Sequence, residues 1–167
     1  MNKRTKQILI LLNFILVLLL TSLSALREES YKKREGFYLK LAPVDPRSLM
    51  QGDYMILNYE IVDEAWNRIY EIQEKEENKA VKNGFIAVKL DKDNVAVFKD
   101  VVRKPDNDRD LLYIAFKSNG YQLKINADSF FFQEGNAHLY QNAKYSKVVL
   151  INNTLRLVDL VDKLPQK

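Results

Sequence analysis

Three charged residues that lie far apart in the sequence could form a polar site if the fold brings them together. Arg47 and Asp53 belong to the segment 44–53, and Glu134 lies near the carboxyl end of the chain. A guanidinium beside two carboxylates can bind a polar ligand or assist a hydrolysis. A structural role competes with this hypothesis. Arg47 could instead form a salt bridge with Asp45, Asp53 or Glu134, and Asp53 could stabilise a turn by accepting backbone N–H groups.

A Gly-Asp pair before an apolar strand also occurs in signal peptidases, which use a serine–lysine mechanism. Signal peptidases place their nucleophilic serine eight residues before the glycine, and Val44 occupies that position here. Ser48 lies only four residues before the glycine. The mechanism also needs a desolvated lysine, whereas Lys89 and Lys99 lie in ordinary hairpin alternation. The sequence therefore argues against this peptidase class.

The rest of the composition excludes several further chemistries. The chain has no cysteine, a single histidine (His138, in a polar segment) and five isolated glycines. Thiol nucleophiles, thiolate metal sites and glycine-rich phosphate loops are therefore absent. No pair among the 22 acidic residues is singled out for glycoside hydrolysis. We predict no catalytic residue, metal site or cofactor, and whether the protein is an enzyme stays open.

One eight-residue segment stands above the background: Gly52-Asp53-Tyr54-Met55-Ile56-Leu57-Asn58-Tyr59. Strand alternation would place Met55, Leu57 and Tyr59 on one buried face, with the intervening residues on the other. Gly52 fits a turn that needs a positive φ or a close backbone approach.

These residues match the G-D-Y-x-x-L-x-Y signature, and the chain thereby resembles the GDYXXLXY family of bacterial membrane-anchored proteins. Asp45, Pro46 and Arg47 fit the V-D-P-R that precedes the signature, and Glu134-Gly135 fit a later aromatic-x-x-Glu-Gly element. The resemblance implies one membrane anchor, a compact extracytoplasmic domain and no established activity. It also implies a polytopic membrane protein as partner, because members are often encoded beside such proteins.

Residues 8–26 predict a transmembrane helix. Fifteen of these 19 residues are apolar and none is charged, and a helix of this length spans about 28 Å of a ~30 Å hydrocarbon core. A cleaved signal peptide is the alternative, with Ser22-Leu23-Ser24 as the small-x-small site, but the apolar run is long for that class. We expect a retained anchor in contact with the lipid bilayer.

Lys and Arg residues flank this segment on both sides, so their count does not decide the orientation. The short tail at 1–7 and the signal-like pattern favour a cytoplasmic amino terminus and an extracytoplasmic domain, periplasmic if the cell has two membranes. The net charge of +4 adds little, because three basic residues precede the span and leave 23 basic against 22 acidic residues beyond it. A nearly neutral domain gives no support for nucleic acid as a partner.

The remaining chain predicts a connector at 27–35 and one domain at 36–167. Alternating apolar segments bounded by turn residues predict seven or eight strands, paired antiparallel through hairpins. One main helix is predicted from about residue 63 and a short helix within 134–143. The fold class is therefore mainly β (α+β), with a transmembrane helix followed by a compact antiparallel domain.

Phe130-Phe131-Phe132 poses a separate question. Consecutive strand residues point to both faces of a sheet, so at least one of the three must face away from a one-sided core. That side chain could meet a helix, the membrane surface or a partner, and we expect a helix to cover it. The sequence thus favours an accessory or interaction module for a polytopic membrane protein over a ligand-binding or hydrolytic site at Arg47, Asp53 and Glu134.

Overall fold

The computed structural model describes residues 2–32, 35–42, 50–51, 54–75 and 81–165. The chain divides into two compact units, Met1–Arg34 and Glu35–Lys167. Residues 27–34 of the predicted connector belong to the first unit, whose helix ends at Lys32.

The first unit is one helix, α1 (Lys3–Lys32). Its segment Arg4–Ser24 has a mean hydropathy of 2.3 and none of it is buried against other parts of the chain. The helix is therefore long and apolar enough to cross a membrane, as the sequence predicts.

The second unit is built from short strands around one main helix. The described residues contain ten strands: β1 (Phe37–Lys40), β2 (Met50–Gln51), β3 (Tyr54–Ile56), β4 (Asn83–Leu90), β5 (Ala96–Val102), β6 (Leu112–Ser118), β7 (Leu123–Lys124), β8 (Ser129–Phe131), β9 (Tyr145–Ile151) and β10 (Thr154–Val161). The helices are α2 (Glu60–Lys75) and α3 (Ala137–Tyr140).

These strands form three antiparallel sheets, with the orders β1-β9-β10, β2-β3-β8 and β5-β4-β6-β7. Tight turns join the hairpins, and the asparagines Asn94, Asn152 and Asn153 adopt positive φ in them, a conformation that asparagine tolerates better than most residues. Backbone hydrogen bonds link neighbouring sheets, since the amide of Ala115 donates to the carbonyl of Asn153 at 2.7 Å.

A single hydrophobic core lies between the sheets and α2. Ile61, Ala65 and Ile69 repeat at the helical spacing of four residues and are all buried. Arg68, on the same helix, forms a 2.8 Å ion pair with Asp100 of β5. The helix is therefore held by an apolar stripe and by a polar contact at its border.

The predicted mainly β fold with one main helix is confirmed, and the differences lie at element boundaries. The helix begins at Glu60, so residues 60–62 are helical where the sequence predicts an extended strand. Strand and helix both accept the apolar pair Ile61-Val62, and burial of the stripe decides for the helix. The two-residue strands β2 and β7 raise the strand count above the predicted seven or eight.

Candidate functional site

The described part of the G-D-Y-x-x-L-x-Y segment, residues 54–59, begins with β3, the middle strand of the β2-β3-β8 sheet. Met55, Leu57 and Tyr59 are buried, whereas Ile56 and Asn58 are exposed. The predicted alternation is therefore confirmed. The signature's Leu57 and Tyr59 contribute to the core, and its first tyrosine, Tyr54, lies on the opposite face of the strand.

Backbone hydrogen bonds join this segment to two other parts of the domain, one earlier and one later in the sequence. The amide of Leu57 donates to the carbonyl of Asp128 at 2.9 Å, and the amide of Ala42 donates to the carbonyl of Asn58 at 2.9 Å. The hydroxyl of Tyr59 donates to the carbonyl oxygen of Ala127 at 2.6 Å. The segment thus joins the residues after β1 to the loop before β8.

Burial controls the ionisation of Tyr59. It raises the pKa of the Tyr59 hydroxyl well above its usual value, and the nearby Ser146 hydroxyl offsets only part of that rise. The phenol is therefore a neutral hydrogen-bond donor inside the core, which is a structural role.

The outward face of the segment carries an aromatic pair. Tyr54 and Phe131 are directly opposite each other in the β3–β8 pairing, with ring centroids 5.6 Å apart. Phe131 is 73% exposed, whereas Phe130 and Phe132 contact Tyr140 of α3. The expectation that a helix covers the phenylalanine facing away from the core is wrong, because that residue is Phe131 and its side chain points to the face opposite α3.

The proposed polar site at Arg47, Asp53 and Glu134 stays a prediction. Asp45, Pro46, Arg47, Gly52 and Asp53 lie outside the described residues. Glu134 is exposed in the turn after β8, and Gly135 follows it with a φ of +84°, which explains the glycine at that position.

The sequence analysis missed two concave regions that meet at the edge strand β7. The first, which we call the basic groove, has a volume of about 770 Å³ and is lined by Arg103, Lys117 and Lys124 among other residues. The second, which we call the aromatic pocket, has a volume of about 570 Å³ and is lined by Trp66 and Tyr121 among other residues. Gln122, Lys124 and Asp128 line both of them.

Two carboxylates line the aromatic pocket. Burial raises the pKa of Asp63, with a further contribution from the charge of Glu60, and burial is also the main cause of the raised pKa of Asp128. Ser129 lines the same pocket, but its hydroxyl makes no hydrogen bond to a described base. The pocket therefore has polar groups for binding a ligand without the nucleophile–base pair that covalent catalysis needs.

The described residues contain no cluster of three or more histidine, cysteine or acidic side chains that could hold a metal ion. His138 is exposed, and its Nδ1 lies 3.0 Å from the carbonyl oxygen of Gly135. It is a surface residue, as its polar sequence context predicts.

An apolar helix of membrane-spanning length, followed by an antiparallel β domain in which Leu57 and Tyr59 of the G-D-Y-x-x-L-x-Y signature are buried, defines the class of protein. The model of the GDYXXLXY protein family matches residues 16–157. The match covers most of the sequence, and the chain belongs to this family. No curated protein and no solved structure shows significant similarity to it.

Proposed function

We propose that this protein is a membrane-anchored accessory module that binds a polytopic membrane protein through its transmembrane helix and presents its β domain outside the cytoplasm. One observation carries the proposal: the carboxamide of Asn13, in the middle of the apolar helix, makes no hydrogen bond within the described part of the chain. The proposed orientation rests on the signal-like pattern of residues 1–26.

The polar side chains of the predicted span differ in whether they form hydrogen bonds within their own helix. The hydroxyl of Thr21 donates to the backbone carbonyl of Val17 or Leu18, at 3.1 and 3.0 Å, and that of Ser24 donates to the carbonyl of Leu20 at 2.9 Å. These hydroxyls are satisfied within their own helix, so a bilayer accommodates them without another protein.

Asn13 is different. It lies near the middle of the Arg4–Ser24 segment, and its exposed carboxamide makes no hydrogen bond to any described residue. In the hydrocarbon core a carboxamide gains from a partner on another helix, and such bonds stabilise helix association by roughly 1 kcal/mol. A neighbouring membrane protein with several helices supplies such a partner.

The aromatic face of the domain supports a second contact. Phe131 lies on β8, which pairs only with β3 among the described strands and therefore has an open edge. An exposed aromatic side chain beside an open edge is typical of a surface that binds another protein.

Purification of the full chain in mild detergent after brief cross-linking tests the proposal. We expect a stoichiometric membrane protein with two or more spans to copurify with the wild type and with Thr21→Val. We expect about a fivefold lower yield of it with Asn13→Leu, because only that change removes the unsatisfied carboxamide.

Recovery of the chain alone, or of a homodimer alone, would contradict the proposal. The intact mass of the purified protein shows whether residues 1–26 are retained, and a reporter fused at Lys167 that is active only in the cytoplasm would refute the orientation.

A further inference from the structure

We propose that the basic groove is a binding site for a phosphate ester. The proposal rests on the placement of two lysines on one face of the β5-β4-β6-β7 sheet and is independent of the membrane partner.

The pairing of β6 with β7 fixes the two lysines of the groove. Lys117 and Lys124 are directly opposite each other in this antiparallel pair, so their side chains extend from the same face. Directly opposite residues have Cβ atoms about 5 Å apart, and like charges at that separation destabilise a sheet. Neither ammonium forms an ion pair with a described carboxylate.

The hairpin between these strands is well defined. The side-chain oxygen of Asn119 accepts hydrogen bonds from the amides of Tyr121 and Gln122, at 2.9 and 2.8 Å. Gly120 has a φ of +88°, as a tight turn at this position requires. The turn fixes the register, and the register keeps the two lysines opposite each other.

The neighbouring strands complete the groove. Asn83 of β4 is directly opposite Lys117 on its other side, which gives the row Asn83–Lys117–Lys124 across three strands. Arg103, just after β5, lines the same groove. Its planar guanidinium offers the paired donors that match phosphate oxygens.

The charge balance of the groove favours an anion. Its lining contains three cations, Arg103, Lys117 and Lys124, and one carboxylate, Asp128. Asp128 lies on the side shared with the aromatic pocket, and its carboxylate accepts a 3.4 Å hydrogen bond from the amide of Ile125. Asp128 offsets part of the charge of Lys124, whereas Lys117 forms no ion pair with a described carboxylate.

The apolar residues that line the groove indicate which kind of phosphate compound would bind. Phe85 and Ala115 pair across β4 and β6 in the row next to the lysines, and both line the groove. An apolar surface beside a cationic row fits a phosphate ester with an apolar part. A lipid headgroup and a soluble organic phosphate share this chemistry.

Calorimetric titration and thermal unfolding of the full chain in a neutral detergent test the site. The two probes are inorganic pyrophosphate and dioctanoyl phosphatidylglycerol mixed into the micelles. We expect at least one of them to raise the melting temperature of the wild type by about 3 °C or more at saturation. Stabilisation by phosphatidylglycerol alone identifies a lipid headgroup as the ligand, whereas stabilisation by pyrophosphate identifies a soluble phosphate compound.

The variant Lys117→Gln/Lys124→Gln separates binding from folding. We expect its affinity for the effective probe to fall about tenfold or more. Without a probe, its melting temperature should equal or exceed that of the wild type, because the substitution removes a repulsive pair. The control Lys89→Gln/Lys99→Gln removes the same charge outside the groove and should bind like the wild type.

Absence of stabilisation by both probes would overturn the proposal, and so would an equal loss of affinity in the control. If the double variant fails to fold, Lys124→Gln alone provides the same comparison with a smaller loss.

Discussion

The hydroxyl of Tyr59 donates a 2.6 Å hydrogen bond to the carbonyl oxygen of Ala127, and this bond joins two buried residues 68 positions apart in the sequence. It connects the last letter of the G-D-Y-x-x-L-x-Y signature to the loop that precedes β8. Phenylalanine at this position could fill the same space in the core, but it could not donate this hydrogen bond.

Tyr59→Phe should lower the free energy of unfolding by about 1–3 kcal/mol, because it leaves a buried carbonyl without its donor. Urea unfolding followed by circular dichroism measures the change. Tyr70→Phe is the matched control, since Tyr70 is 52% exposed and its ring contact with Trp66 is kept. Equal stability of the two variants would show that the bond does not stabilise the fold.

Alkaline pH should destabilise the wild type through the same residue. An unfolded tyrosine ionises at a pKa of about 10, and burial raises the pKa of Tyr59 in the folded state. Its contribution is complete below pH 10 and is lost as the pH rises towards the folded pKa, at up to about 1.4 kcal/mol per pH unit. The stability of Tyr59→Phe should therefore fall less steeply between pH 10 and 11, and parallel curves would refute this assignment.

The two faces of the short strand β8 predict losses of stability of different size for two neighbouring phenylalanines. Phe130→Ser should cost about 2–3 kcal/mol, because Phe130 packs against the core and Tyr140. Phe131→Ser should cost less than about 1 kcal/mol, because Phe131 is 73% exposed and mainly contacts Tyr54. Thermal unfolding of both variants tests the assigned faces. A larger loss for Phe131 would mean that its face is covered.

The loop after β5 should stabilise the folded protein by an amount that decreases at acidic pH. The hydroxyl of Tyr113 donates to the carboxylate of Asp106, and this bond lowers the pKa of Asp106 and raises that of Tyr113 to about 12. The contribution is present between about pH 4 and pH 10 and is lost as the pH falls through the folded pKa of Asp106.

Tyr113→Phe should therefore melt at a lower temperature than the wild type at pH 7, with the difference shrinking towards pH 3. Tyr121→Phe serves as the control, because Tyr121 is 88% exposed and its hydroxyl makes no hydrogen bond to a described residue. A difference that stays constant from pH 7 to pH 3 would exclude the carboxylate as its cause.

Local patterns predicted the strands well where turn chemistry and alternation agree. The asparagines at 152–153 bound the last hairpin, and Met55, Leu57 and Tyr59 occupy the buried face that their period of two predicts. The start of α2 was harder to predict, because Ile61-Val62 suit a strand and a helix equally. Burial against β5 and β1 decided between them, and that burial depends on residues far away in the sequence.

The basic groove could not be read from one segment, because it needs the pairing of β4, β6 and β7. The residues Ser118-Asn119-Gly120 predict a tight turn, but counting outward from that turn pairs Lys117 with Tyr121. The observed register instead pairs Ser118 with Leu123 and Lys117 with Lys124, so it could not be predicted from the turn residues. Arg103 could not be placed, since a loop of irregular structure separates it from β6.

The pairing of β1 with β9 sets the order of events during biosynthesis. Phe37 pairs with Val148, and β9 lies between β1 and β10 in its sheet. The first strand of the domain therefore lacks β9, its neighbour in this sheet, until residues 145–148 have been synthesised. Such distant pairing makes folding slow and keeps it from proceeding segment by segment. The apolar helix, by contrast, is complete as soon as its residues emerge from the ribosome, so the chain can reach the bilayer long before its domain closes.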